Sequence, residues 1–141
     1  MTDLRELARL GVATVYEAQG RTGLIDLPLL QVVPGSRAAG PARTVLCGNG
    51  DNLMVHAAVA HAEPGDVLVV TAPDPTPVAM VGDLLATQAL DQGVVAMLVD
   101  GAVRDVQELR ELGLPIWRSS RARPTWCTPP SHRRSRGTCS C

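Results

Sequence analysis

The sequence contains no lysine and no phenylalanine, and its 141 residues include only two tryptophans and one tyrosine. Without a side-chain amine the chain excludes every mechanism that runs through a lysine Schiff base. Without aromatic bulk, its core must be built from Val, Leu, Ala, Ile and Met. No apolar run approaches the roughly 20 residues that a membrane span requires. The start, Met1-Thr2-Asp3-Leu4-Arg5, lacks the basic-then-apolar layout of a signal peptide. A cytoplasmic protein with no membrane partner is expected.

Acid is missing from one end. From Arg118 to Cys141 there are six Arg and no Asp or Glu, a charge of +6, whereas residues up to Trp117 carry seven Arg and all 14 acids, a charge of −7. Three of the four cysteines, Cys127, Cys139 and Cys141, fall in the basic part. With His132 they match no standard zinc spacing. The run Arg133-Arg134-Ser135-Arg136 has no aromatic companion, so nucleic acid is not an expected partner. Pro124, Pro129 and Pro130, with many Ser and Arg and no apolar period, predict a disordered tail.

Before Trp117 the pattern is regular. Leu4, Leu7, Ala8 and Leu10 stand at helical spacing, with Gly11 as a stop. Thr14 and Glu17 have the spacing of a capping box for a second short helix closed by Gly20. Residues 29–33 and 43–47 read as strands joined through Pro34-Gly35 and Gly40-Pro41. Asp51 is placed to cap a helix running to about Ala62, and Pro64-Gly65-Asp66 is a turn. Val67-Leu68-Val69-Val70 is a continuous apolar run, expected to be a strand buried on both faces. A helix from about Gly82 to Gln92 follows, then a strand from Val94 to Val99. A helix from about Asp105 to Leu112 comes next, and Leu114-Pro115-Ile116-Trp117 opens another strand. This alternation predicts an α/β fold with parallel crossovers.

Two segments carry candidate chemistry. Gly82-Asp83-Leu84-Leu85 opens a helix, and Asp100-Gly101-Ala102-Val103-Arg104-Asp105 leaves a buried strand. In open α/β sheets, ligands bind beyond the carboxyl ends of strands and beside helix N-termini. The Leu84 and Leu85 amides suit a carboxylate or phosphate, Arg104 adds a planar fork for the same anion, and Asp105 is a hard oxygen ligand of the sort Mg²⁺ accepts. Each also has a structural reading: Asp83 and Asp105 as helix-capping acids, and Arg104 as a partner of Glu108 one turn on. His56 and His61, five apart on one helix, point away from each other. Cys47 is expected to pack as a small apolar residue.

Asp83 and Arg104 enclose twenty residues, and Arg104-Asp105-Val106-Gln107-Glu108 follows. With Gly50-Asp51-Asn52-Leu53, Glu63-Pro64-Gly65-Asp66 and the Ala13-Thr14-Val15 entry, this order resembles the regulator-of-ribonuclease-activity-A-like (RraA-like) family of metal-dependent pyruvate aldolases, although Glu17 stands where Asp is more usual. The resemblance covers residues 4–117 and implies a swivelling β/β/α layered domain. It implies cleavage of 4-hydroxy-4-methyl-2-oxoglutarate to pyruvate, with oxaloacetate decarboxylation as a side activity. By the same resemblance Asp105 would ligate Mg²⁺ or Mn²⁺, with Asp83 and Glu108 nearby through water. Gly82, Asp83, Leu84, Leu85 and Arg104 would hold the keto-acid substrate, and Arg104 and Asp83 would act in catalysis. Family chains form homotrimers, and some relatives instead bind and inhibit ribonuclease E. The family pattern continues past the position of Trp117 in relatives, supplying further strands. We therefore expect residues 1–117 to be a C-terminally incomplete domain, residues 118–141 to be a frame-shifted tail, and an inactive relic to be a third reading beside enzyme and regulator.

Overall fold

The computed structural model describes residues 4–74 and 78–119. Two short helices, α1 (Leu4–Leu10) and α2 (Val12–Ala18), precede strand β1 (Leu29–Gln31) and strand β2 (Ala42–Leu46). Then come α3 (Leu53–Ala60), β3 (Val67–Thr71), β4 (Ala79–Val81), α4 (Asp83–Asp91), β5 (Ala96–Val99), β6 (Ala102–Val103), α5 (Val106–Leu112) and β7 (Ile116–Ser119). The expected alternation of helix and strand is present. No helix among the described residues is long and apolar enough to cross a membrane.

Five strands form one sheet in the order β1-β7-β5-β3-β2. β2, β3, β5 and β7 run parallel, and β1 lies antiparallel to β7. The first two strands, joined by a short connection, therefore occupy opposite edges. The register Val45↔Val70↔Val99 and Leu68↔Met97↔Ile116 lines one face with apolar side chains. Val55 and Val59 of α3, Leu85, Ala86 and Ala89 of α4, and Leu109 of α5 close over that face as a single core. Burying these aliphatic side chains is worth roughly 1.5–3 kcal/mol for each Val, Leu, Ile or Met. The opposite row, Val69, Leu98 and Trp117, is only half-buried. Strand β3 is thus sealed on one face rather than on both, because the three crossover helices cover only one side.

Local expectations fail at two places. The capping box at Thr14 and Glu17 does not form. Gly11 at φ 83° turns the chain straight from α1 into α2, so Thr14 lies inside the helix and Glu17 pairs with Arg21 at 3.0 Å. The segment after Val99 is also not simply a loop, since Ala102–Val103 pairs in parallel with Ala79–Val81 as a separate two-stranded sheet.

The base of the sheet is knotted around Asp66, which is only 5% exposed. Its Oδ2 accepts from the Glu63 amide at 2.9 Å and from Arg43 Nε at 2.6 Å, and its carbonyl accepts the Val95 amide. Gly65 donates to the Gly93 carbonyl, and a Cβ at Gly93 would press on Pro64 at 2.9 Å. The Glu63 amide first, then the Arg43 guanidinium, hold the Asp66 carboxyl below its ordinary value. A depressed carboxyl stabilises the fold above the unfolded-state value of about 4, and that contribution disappears as pH falls through the folded value. Asp66→Asn keeps an acceptor for Glu63 but removes the charge facing Arg43. Thermal melts should show it less stable at pH 7 by about 1–2 kcal/mol, with the gap to wild type closing below about pH 4; a gap that stays constant down to pH 3 contradicts this role.

Candidate functional site

Strands β4 and β6 run side by side, with Val81 opposite Val103, and the Arg104 amide continues the ladder by donating to the Val81 carbonyl at 3.0 Å. Both chains therefore deliver their next residues to the same place. Gly82-Asp83 opens α4, and Arg104-Asp105 opens α5. Two segments far apart in sequence meet here because two very short strands pair.

Asp105 adopts the left-handed conformation, φ 57° and ψ 44°, which costs a non-glycine residue about 1 kcal/mol or more. In that conformation its carboxylate turns back over Gly82. Oδ2 accepts from the Asp83 amide at 3.3 Å and lies 3.2 Å from Arg104 Nε. There is no room between them: a Cβ on Gly82 would sit 2.5 Å from Asp105 Oδ2 and 2.8 Å from Arg104 Nε. Gly82 has an extended backbone, φ −134°, so space rather than backbone freedom demands glycine.

The surroundings of the pair are open on one side. The Arg104 side chain is 67% exposed and that of Asp105 33%. The Leu84 amide, expected to be free for an anion, is held at 2.7 Å by Asp83 Oδ1. Among the described residues the Leu85 amide meets no protein acceptor. Thr87 Oγ1 donates to the Asp83 carbonyl at 2.9 Å and braces the first turn of α4. Arg104 pairs with its neighbour Asp105 rather than with Glu108, which is exposed on the first turn of α5. Among the described residues no three His, Cys, Asp or Glu side chains form a metal cage. The structure thus brings Gly82, Asp83, Arg104 and Asp105 together, with Leu84 and Leu85 on the adjoining turn.

Other candidates fall elsewhere. His56 and His61 are exposed. Cys47 is buried at 2% exposure just past β2, and burial pushes its thiol up. The tail residues Cys127, His132, Cys139, Cys141 and Arg133 to Arg136 lie outside the described residues. Sequence reasoning named Asp100 and Asn52 within their segments but gave neither a role: the buried Oδ1 of Asp100 has no hydrogen-bond partner among the described residues, and the Asn52 side chain reaches β4 at 3.3 Å. A polar residue directly after an apolar strand was the available signal for Asp100. A half-open apolar hollow of about 630 Å³ lies away from the site, between α1, α2 and the Trp117 side of the sheet.

Comparison with known proteins identifies the fold. The family model RraA-like, described as Aldolase/RraA, matches residues 12–137. A protein of Halalkalibacterium halodurans, provisionally named 4-hydroxy-4-methyl-2-oxoglutarate aldolase, is 41% identical over 81 residues, which are 57% of this chain and 39% of that protein. The chain thus spans about two fifths of the curated relative it matches. RraAS2 of Streptomyces coelicolor, described as an unusual member of the RNase ES inhibitor RraA protein family, superposes with a TM-score of 0.66 and 32% identity over 81% of this chain and 61% of its own. A Geobacillus kaustophilus structure described as an S-adenosylmethionine:2-dimethylmenaquinone methyltransferase superposes with a TM-score of 0.69 and 26% identity, over 77% of this chain and 68% of its own.

The crowding at Gly82 makes a direct test. Gly82→Ala must push apart Arg104 and Asp105, at a cost of about 1–3 kcal/mol for overpacking a filled space. A crystal structure should show the pair displaced and a melt should show the lost stability; an undisturbed pair in an equally stable variant contradicts this.

Proposed function

Because the chain belongs to the RraA-like family, we propose that it is a carbon–carbon lyase that releases pyruvate from 4-hydroxy-4-methyl-2-oxoglutarate and decarboxylates oxaloacetate. One observation carries this reading: Asp83, Arg104 and Asp105 converge around a glycine that leaves room for nothing larger. The name of the Halalkalibacterium relative supports the substrate class.

The residues fit a divalent metal. Both protein donors to the Asp105 carboxylate meet Oδ2, which leaves Oδ1 as a hard oxygen on a partly exposed side chain. Mg²⁺ and Mn²⁺ accept one such carboxylate with waters completing the shell, and the family resemblance would have Asp83 and Glu108 hold such waters. When bound, the metal supplies Lewis-acid polarisation of the substrate's keto and carboxylate oxygens.

The chain's own groups do the rest. Arg104 presents an open guanidinium to the oxygen on which negative charge develops as the carbon–carbon bond breaks, and a fixed cation there stabilises that charge. The Leu85 amide, with the Leu84 amide once Asp83 Oδ1 swings away, holds the substrate carboxylate at the positive end of α4. With no lysine in the sequence, no side-chain amine competes as an electron sink. The exposed apolar side chain of Leu84, 71% exposed on the turn beside the site, leaves apolar surface for the subunit contact of the homotrimer that the family resemblance implies.

A second reading, binding and inhibition of a ribonuclease of the E type, is favoured by the description of the Streptomyces relative. Pull-down against ribonuclease E tests it. The methyltransferase reading attached to the Geobacillus structure has no support in this chain, which lacks any Gly-x-Gly-x-Gly run for adenosylmethionine.

Pyruvate release from 4-hydroxy-4-methyl-2-oxoglutarate and from oxaloacetate should require Mg²⁺ or Mn²⁺ and stop with chelator. Asp105→Ala and Arg104→Ala should each cut the rate by about 100-fold or more. Release that survives both chelator and Asp105→Ala rules out the metal-dependent role of Asp105, and no release from folded wild type rules out the lyase reading.

A further inference from the structure

The residue at the head of α3 does not do what its position suggests. Asn52 is the N-cap of α3, yet its side chain makes no capping bond. The preceding residue does that work instead, since Asp51 Oδ1 accepts the Leu53 amide at 2.9 Å. The Asn52 amide nitrogen reaches 28 residues along the chain and donates to the Met80 carbonyl at 3.3 Å.

Met80 is the middle residue of β4, and among the described residues β4 has a strand partner on one side only. The Val81 carbonyl faces β6, where the Arg104 amide takes it. The β4–β6 register shifts between Ala79 and Val81, so Met80 is the irregular residue of the pair and has no Cα partner in β6; its carbonyl meets Asn52 instead. Met80 itself is 3% exposed, and a buried carbonyl left without a donor costs about 1–3 kcal/mol. Asn52 therefore anchors the irregular point of the strand that delivers Gly82 and Asp83, two and three residues further on.

We infer that Asn52 is a positioning residue for the site: its side-chain amide holds β4 against α3 and so fixes Gly82 and Asp83 beneath Asp105 and Arg104. The catalytic part of this inference rests on the lyase reading, but the positioning does not. The tolerance is small, because the Gly82 position lies only 2.5 Å from Asp105 Oδ2 when a Cβ is placed on it. A strand free to shift by an ångström loses that alignment, and such misplacement costs up to about 100-fold in rate.

Asn52→Asp separates positioning from helix capping. Aspartate caps a helix as well as asparagine does, has the same shape, and at neutral pH cannot donate to a carbonyl. In hydrogen–deuterium exchange of the full chain, the Asp83 and Arg104 amides of Asn52→Asp should exchange at least tenfold faster than in wild type. The kcat for pyruvate release should fall roughly 10- to 100-fold, with KM changed less. Asn52→Ala, which removes the donor without adding charge, should give the same pattern if the aspartate variant does not fold. Exchange and kcat equal to wild type in the folded variant overturn the inference and leave the Asn52–Met80 contact without a positioning role. If wild type itself releases no pyruvate, the lyase reading fails while the exchange rates alone still decide the positioning.

Discussion

The buried carboxylate of Asp66 sets the register on which the rest of the sheet is built. It ties the turn before β3 to β2 through Arg43, and the same residue's carbonyl receives the amide that leads into β5. A parallel sheet has no hairpins to fix its register, so something else must. Here the three strands start level, Ala42 beside Val67 beside Ala96. Strands that begin level and have similar lengths also end level. The carboxyl ends, the loops beyond them and the β4–β6 pair that carries the site inherit their alignment from a contact at the opposite end of the domain.

What was legible in the sequence had a local period. The core helices and parallel strands announced themselves through apolar spacing and glycine stops, and Gly93 and Gly113 do end α4 and α5 at positive φ. The Asp83 and Arg104-Asp105 segments were legible by type and spacing, and the fold does bring them together. The β4–β6 sheet was not legible, because strands of three and two residues are too short to show alternation. The place of β1 beside β7, at the far edge from β2, was equally invisible. Edge choice depends on which surface needs covering, and no local pattern encodes it. The Thr14–Glu17 capping box failed for a related reason: Gly11 restarts the helix before Thr14, and Arg21 offers Glu17 a charged partner.

The site itself was readable as residues but not as geometry. Nothing about the letters Asp-Gly-Ala-Val-Arg-Asp says that the final Asp bends back in a left-handed conformation, or that Gly82 is required for room rather than for flexibility. Asn52 shows the limit most clearly. Its position at a helix start suggests capping, while its contact lies with a strand nearly thirty residues away. Membership of the RraA-like family is what prompts the proposal that the two acids, the arginine and the shielded glycine work together.

The left-handed backbone at Asp105 carries a consequence for anyone improving this protein by selection. Substitution by glycine at that position relieves the backbone and frees the chain to relax. It also deletes the carboxylate that crosses over Gly82. Screening variants for heat resistance alone would reward such relief, since strained functional positions are where stability and activity pull apart. The sturdiest descendants from such a screen would be drawn away from the chemistry proposed for Asp105.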